Sequence, residues 1–152
     1  MALKLLFICS GNITRSPVAA ALAEQLALEL SIEADIQSAG TLGISGRPAH
    51  PRMIAVAREV GLDLTGHVSQ GVNTSLVGWA DRILVMELIH AAVVEALDPT
   101  VTERVIQLGP LISEARIDDP TGSWFNRPYR NTRDKLASAV RRFLSARALD
   151  QA

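Results

Sequence analysis

The chain has 152 residues, with 15 Lys and Arg against 16 Asp and Glu, 48% hydrophobic residues and 20% charged ones. That balance suits one globular domain over residues 1–152 and excludes a disordered chain. Its seven prolines and ten glycines are scattered, no segment repeats, and a net charge of −1 argues against a whole-surface nucleic-acid binder.

Lys4 to Ile8 is a short apolar run ending at the turn formers Ser10, Gly11 and Asn12, and it predicts a buried strand. The uncharged stretch Leu5 to Thr14 is too short and too polar for a signal peptide or a membrane span. No membrane association is therefore expected, and the expected location is the cytoplasm. Val18, Leu22, Leu26 and Leu30 recur at i+4 steps, which predicts a helix from Pro17 to about Leu30 with Ser16 as its N-cap. Ala34 to Ser38 reads as a second strand, followed by a Gly-rich loop from Gly40 to Gly46 and a helix from about Pro51 to Val60. Asp81 to Met86 reads as a third strand, Leu88 to Leu97 as a helix stopped by Asp98-Pro99, and Arg104 to Leu108 as a fourth strand.

Gly109 to Asn131 holds three prolines, two glycines and no clear period, and long loops in compact domains are usually functional. A last helix is expected from about Thr132 to Ala148, with Leu136, Val140, Phe143 and Leu144 on one stripe. Residues 127–152 carry seven basic and two acidic groups, and their arginines fall mostly on the polar side of that helix, as on a solvated face. Alternating strands and helices predict an α/β fold: a parallel sheet with helices on both faces, and ligands at the carboxyl ends of the strands.

Those ends include the loop from Cys9 to Arg15. Cys9 is the lone cysteine, so the chain has no internal disulfide and no CxxC metal or redox pair. It is either a small core residue or a reactive thiol at a strand end. Gly11 and Asn12 tolerate positive φ, so the loop can curl and turn its amides inward as an anion nest at a helix N-terminus. Arg15 adds a planar fork for two oxygens of a tetrahedral oxyanion. With 13 arginines in 152 residues, the Cys-to-Arg spacing alone is weak.

The full run Phe7-Ile8-Cys9-Ser10-Gly11-Asn12-Ile13-Thr14-Arg15-Ser16-Pro17 is much more specific. It resembles the signature of the low-molecular-weight protein tyrosine phosphatases. The resemblance continues through Ser38-Ala39-Gly40-Thr41, Gly61-Leu62-Asp63-Leu64, Gly66-His67, the strand ending in Met86, and Asp119-Pro120. It implies a flavodoxin-like three-layer fold with a four-stranded parallel sheet, and hydrolysis of phosphomonoesters through a cysteinyl-phosphate, with no cofactor and no metal. The implied substrate is a phosphorylated protein or a small aryl phosphate. On the same resemblance Cys9 is the nucleophile, Arg15 the phosphate-binding arginine, and Ser16 the hydroxyl that helps expel the thiolate. Ser10, Gly11, Asn12, Ile13 and Thr14 complete the phosphate loop, and Asn12 with Ser38 and His67 holds it curled. Asp119 is the general acid, with Asp118 the alternative. His50 and His90 match nothing catalytic.

Thr14 stands where many family members have a second cysteine, which removes a protective disulfide with Cys9. Thr121 and Gly122 follow Asp119-Pro120 where aromatic residues are usual, leaving Trp124, Phe125 or Tyr129 to wall the substrate ring unless the first two simply anchor the loop. Glu87 stands where Asp is common. A single cysteine excludes an internal thiol relay of the arsenate reductase type. A phosphocysteine carrier has no use for Arg15 or Asp119, and an anion-binding module requires neither Cys9 nor Asp119. A protein-arginine phosphatase is the runner-up, and Ile13, where that subgroup resembles this loop but carries threonine, tilts the reading to phosphotyrosine. The sequence leaves the oligomeric state open.

Overall fold

The central strand is β1, Leu3–Cys9, which pairs in parallel with β2, Ala34–Gly40, on one side and β3, Arg82–Val85, on the other. β4, Val105–Gln107, extends the sheet beyond β3, so the order is β2-β1-β3-β4. The computed structural model describes residues 1–151. Between the strands run α1 (Arg15–Glu29), α2 (Pro51–Arg58), α3 (Thr74–Trp79) and α4 (Leu88–Leu97), and α5 (Arg127–Gln151) closes the chain.

The apolar run of β1 is continuous because both of its faces are covered. Leu5, Phe7 and Cys9 point into one core with Val18 and Leu22 of α1 and Leu136, Val140 and Leu144 of α5. Leu6 and Ile8 point into the other, with Val77 of α3 and Val94 of α4. Leu5, Leu6, Phe7 and Ile8 are fully buried, and each such side chain contributes about 1.5–3 kcal/mol of transfer free energy. The α/β architecture with helices on both faces is the one the alternating pattern predicts.

The boundaries differ in instructive ways. Ser16 is not the N-cap of α1: the helix starts at Arg15, Thr14 occupies the cap position without a side-chain capping bond, and the Ser16 oxygen serves Cys9 and Asn12 instead. Helix α3 goes unforeseen, since six residues with Gly78 among them carry too little period to register; Asn73 caps it by accepting from the Leu76 N–H. α5 starts at Arg127 rather than Thr132, because Pro128 is tolerated in a first helical turn where the sequence pattern reads as loop. The expected loop from Gly109 also contains a 3₁₀ turn over Gly109–Ile112. The second helix stops at Arg58 rather than Val60, and strands three and four are each one residue shorter at both ends. Among the described residues no helix is long and apolar enough to cross a membrane.

Candidate active site

The chain leaves β1 at Cys9 and enters α1 at Arg15, so residues 10–14 form a tight loop at the carboxyl end of the central strand. Asn12 takes the left-handed conformation there, φ 57°, which asparagine tolerates better than most residues. Its buried side chain then works as a spacer. Nδ2 donates to Ser16 Oγ at 2.8 Å and to Ser38 Oγ at 2.9 Å, and Oδ1 accepts from the Gln70 N–H at 3.0 Å. His67 Nε2 lies 2.7 Å from the Asn12 carbonyl, which can only accept, so that nitrogen carries the ring proton. Ser38 and His67 thus both meet Asn12. Beneath the loop the end of β2 passes so closely that a Cβ on Gly40 would lie 2.6 Å from the Ser10 carbonyl oxygen and 2.8 Å from the Asn12 nitrogen.

Cys9 is 2% exposed and its Sγ lies 3.0 Å from Ser16 Oγ. Because Ser16 accepts from Asn12, its own hydrogen is free to donate to the sulfur when the latter is a thiolate. Thr14 makes no capping bond, so the first N–H groups of α1 remain available to an anion in the loop.

Arg15 is a fully buried, anchored cation. Its NH1 donates to Glu87 Oε2 at 2.7 Å and to the Ile117 carbonyl at 2.8 Å, while NH2 reaches Ser10 Oγ at 3.3 Å and lies 3.9 Å from Asp119 Oδ2. One side of the guanidinium is therefore spent on positioning. Residue type alone does not point to Glu87 as a site residue. Its place two residues beyond β3, at the ligand-bearing ends of the strands, is the available signal.

Asp119 Oδ1 accepts from the Thr121 N–H at 2.9 Å, an Asx turn that presents the carboxylate toward Arg15. Asp118 faces away, held by Arg116 Nε at 2.7 Å, with 71% of its side chain exposed. A cavity of about 280 Å³ opens over the loop, lined by Cys9, Ser10, Gly11, Ile13, Thr14, Arg15, Leu42, Ile44, His50, Asp119 and Thr121. A larger open groove of about 760 Å³ runs along the β2 edge beside Glu24, Glu33 and Asp35, and its lining holds no thiol or hydroxyl nucleophile.

Two histidines read as uninvolved prove to adjoin the site. His90 is fully buried, with Nε2 2.9 Å from Ser10 Oγ. Burial first, and then the Arg15 charge, push its pKa down to about 4. His50 caps α2 through Nδ1, lines the cavity and stacks on Tyr129 with ring centroids 5.0 Å apart. Its pKa is lowered by burial and by Arg52.

The family model of the low molecular weight phosphotyrosine protein phosphatases matches residues 4–152. The chain belongs to that family. The low molecular weight protein-tyrosine-phosphatase Wzb of Escherichia coli (strain K12) is 34% identical over 134 residues, covering 88% of this chain and 83% of Wzb. The crystal structure of the tyrosine phosphatase AmsI of Erwinia amylovora matches with a TM-score of 0.87 at 31% identity, over 96% of this chain and 93% of that one. The YwlE arginine phosphatase of Geobacillus stearothermophilus matches with a TM-score of 0.88 at 28% identity, over 98% and 95% of the two chains.

Within this low molecular weight phosphatase, the large apolar side chains that line the cavity are aliphatic. Trp124 and Phe125 are 83% and 75% exposed, so they do not anchor the loop to the core, and neither lines the cavity. Tyr129 is fully buried against His50 and is not a wall either. Ile13, Leu42 and Ile44 supply the apolar lining instead. The sequence gives no signal for Leu42 and Ile44, which sit in a Gly-rich loop without periodicity.

Proposed function

We propose that this phosphatase hydrolyses phosphotyrosine, and related aryl phosphates, in two steps at Cys9. The observation that carries the reading is a single cavity holding the thiol, the anchored Arg15 and the Asp119 carboxyl. The phosphoryl group sits in the loop between the Arg15 fork and the backbone amides. The Cys9 thiolate attacks phosphorus as the bond to the phenolic oxygen breaks, and Asp119 gives its proton to that oxygen. Water then attacks the cysteinyl-phosphate, Asp119 takes a proton from the water, and the sulfur leaves as a thiolate that accepts from Ser16. Every proton is accounted for within the cavity, and Asp119 returns to its starting form. Asn12, Ser38 and His67 serve by holding the loop curled.

Turnover of para-nitrophenyl phosphate, a phosphotyrosine peptide and a phosphoarginine peptide by the wild type and by Cys9→Ser tests this reading. The expected result is turnover of both aryl phosphates by the wild type and of nothing by Cys9→Ser. The similarity to an arginine phosphatase supports phosphoarginine as the second reading. Apolar Ile13, Leu42 and Ile44 favour an aromatic ring over a charged guanidinium. Selective turnover of phosphoarginine would reverse that preference.

A further inference from the structure

Ser10 follows the nucleophile and contributes to the cavity, and its side chain has an unusual set of partners. The Glu87 backbone N–H lies 3.1 Å from His90 Nδ1. An amide nitrogen of this kind only donates, so Nδ1 is the acceptor and the neutral ring carries its proton on Nε2. That Nε2–H points at Ser10 Oγ, 2.9 Å away. Arg15 NH2 donates to the same oxygen from 3.3 Å. A serine oxygen has two lone pairs, and here both are occupied.

The hydroxyl hydrogen is what remains, and no other Ser10 side-chain partner occurs among the described residues. Ser10 lines the cavity with Cys9 and Asp119, and the Arg15 NH2 that touches it also lies 3.9 Å from Asp119 Oδ2. We propose that the Ser10 side chain donates a hydrogen bond to an oxygen of the bound phosphoryl group, and that His90 is the positioning residue that aims it. This rests on the phosphatase reading and adds a donor to it. The loop amides and Arg15 hold the phosphate without it, whereas this donor depends on a hydroxyl at 10 and an imidazole at 90. Because His90 is fully buried and stays neutral well below physiological pH, the tautomer is maintained throughout the working range.

The test is a cycle of Ser10→Ala, Ser10→Thr, His90→Gln and the Ser10→Ala/His90→Gln double variant. Inorganic phosphate is the probe, read as its inhibition constant against para-nitrophenyl phosphate and by calorimetric titration into the same proteins. Ser10→Ala is expected to weaken phosphate binding about tenfold, as for loss of one hydrogen bond to a charged acceptor, and Ser10→Thr to restore it. His90→Gln is expected to weaken binding in the wild-type background and to add nothing in Ser10→Ala, since it acts through that hydroxyl. Binding within about twofold of wild type in Ser10→Ala overturns the proposal, because a hydrogen bond to a charged acceptor cannot be lost so cheaply. An equal His90 effect in both backgrounds overturns the positioning role. If His90→Gln does not fold, the Ser10→Ala and Ser10→Thr pair decides the donor, and His90→Asn takes its place in the cycle for the positioning role. A wild type that binds phosphate but turns over no phosphomonoester instead refutes the phosphatase reading, while the calorimetric comparison still decides the donor.

Discussion

Thr14 Oγ1 lies 3.2 Å from Thr121 Oγ1, which ties the phosphate loop to the segment that carries Asp119. The Thr121 N–H also holds Asp119 Oδ1, so the pair bears on the direction of the carboxyl. Thr14→Val keeps the shape and removes the link. We expect kcat for a phosphotyrosine peptide to fall by about fivefold, the worth of one ordinary hydrogen bond. The loss should be smaller for para-nitrophenyl phosphate, and Thr14→Ser should restore both. Unchanged kcat for both substrates would mean that the link does not position the acid.

Gly40 is the position where β2 makes room for the loop. Its added methyl would meet the Ser10 oxygen and the Asn12 nitrogen well inside contact distance. Gly40→Ala is expected to cost about 1–3 kcal/mol of stability, as overpacking does, and to weaken phosphate binding with it. Gly78→Ala is the control, since no atom lies near its added methyl and it sits in α3; there alanine should stabilise by about 0.5–1 kcal/mol. Urea denaturation of the two variants, with phosphate inhibition alongside, makes the comparison. Equal stabilities would remove the steric argument.

Much of this was legible in the sequence because its signals are local. Cys9, Gly11, Asn12, Arg15 and Ser16 lie within eight residues, and the apolar run before them reads as a strand without any knowledge of the fold. The missing parts are long-range. Glu87 meets Arg15 across 72 positions and His90 meets Ser10 across 80, and neither spacing leaves a trace in periodicity. For Ser16 the helix pattern points to a cap, and only the family resemblance points to Cys9. Its residue type suits a helix start, but the competing bond to Cys9 exists only once the loop has curled.

His90 is expected to make the fold acid-sensitive. An unfolded chain takes up a proton on this histidine as pH falls through about 6.5, whereas the native state refuses one until about 4. Its contribution to stability is therefore complete above about 6.5 and is lost progressively as pH falls toward 4. Arg15 opposes the charge on the ring, while Glu87 and Asp119 favour it more weakly. The urea midpoint should drop between pH 7 and pH 5, and His90→Gln should shrink that drop. His50 shifts in the same direction, so part of the slope should persist. A His90→Gln variant with the full wild-type slope would show that the histidine is not its source.

Arg15 and Glu87 should separate two contributions of the same ion pair. Arg15→Lys keeps the charge but loses the fork and the second anchor, because an ammonium cannot reach Glu87, the Ile117 carbonyl and the phosphate in one plane. A fall in kcat/KM of about 10²–10³ is expected, as for loss of an oxyanion donor. Glu87→Gln keeps an acceptor near NH1 and removes only the charge, so about a tenfold loss is expected, the size of one charged hydrogen bond. Steady-state kinetics on both variants makes the check. A larger loss at Glu87 than at Arg15 would mean that the carboxylate has a role of its own.

Asp119 and Asp118 offer the sharpest separation, because they are neighbours with opposite surroundings. Asp119 lines the cavity beside Arg15, whereas Asp118 is turned outward onto Arg116. Asparagine at 119 keeps the shape of the side chain and the acceptor for the Thr121 N–H, and removes the proton. A leaving phenolate of low pKa departs without help, so para-nitrophenyl phosphate should lose little. Tyrosine is a poorer leaving group and needs the proton in the transition state, so a phosphotyrosine peptide should lose about 10²–10⁴-fold, the range of a lost general acid. Asp118→Asn should cost little and show no dependence on the leaving group, since its ion pair with Arg116 is exposed to solvent. A series of aryl phosphates of graded phenol pKa measures the slope directly. A slope that changes at 118 and not at 119 would move the acid by one residue. Small, equal losses at both would leave the leaving group without a protein acid, and catalysis would then rest on the cysteine loop and Arg15.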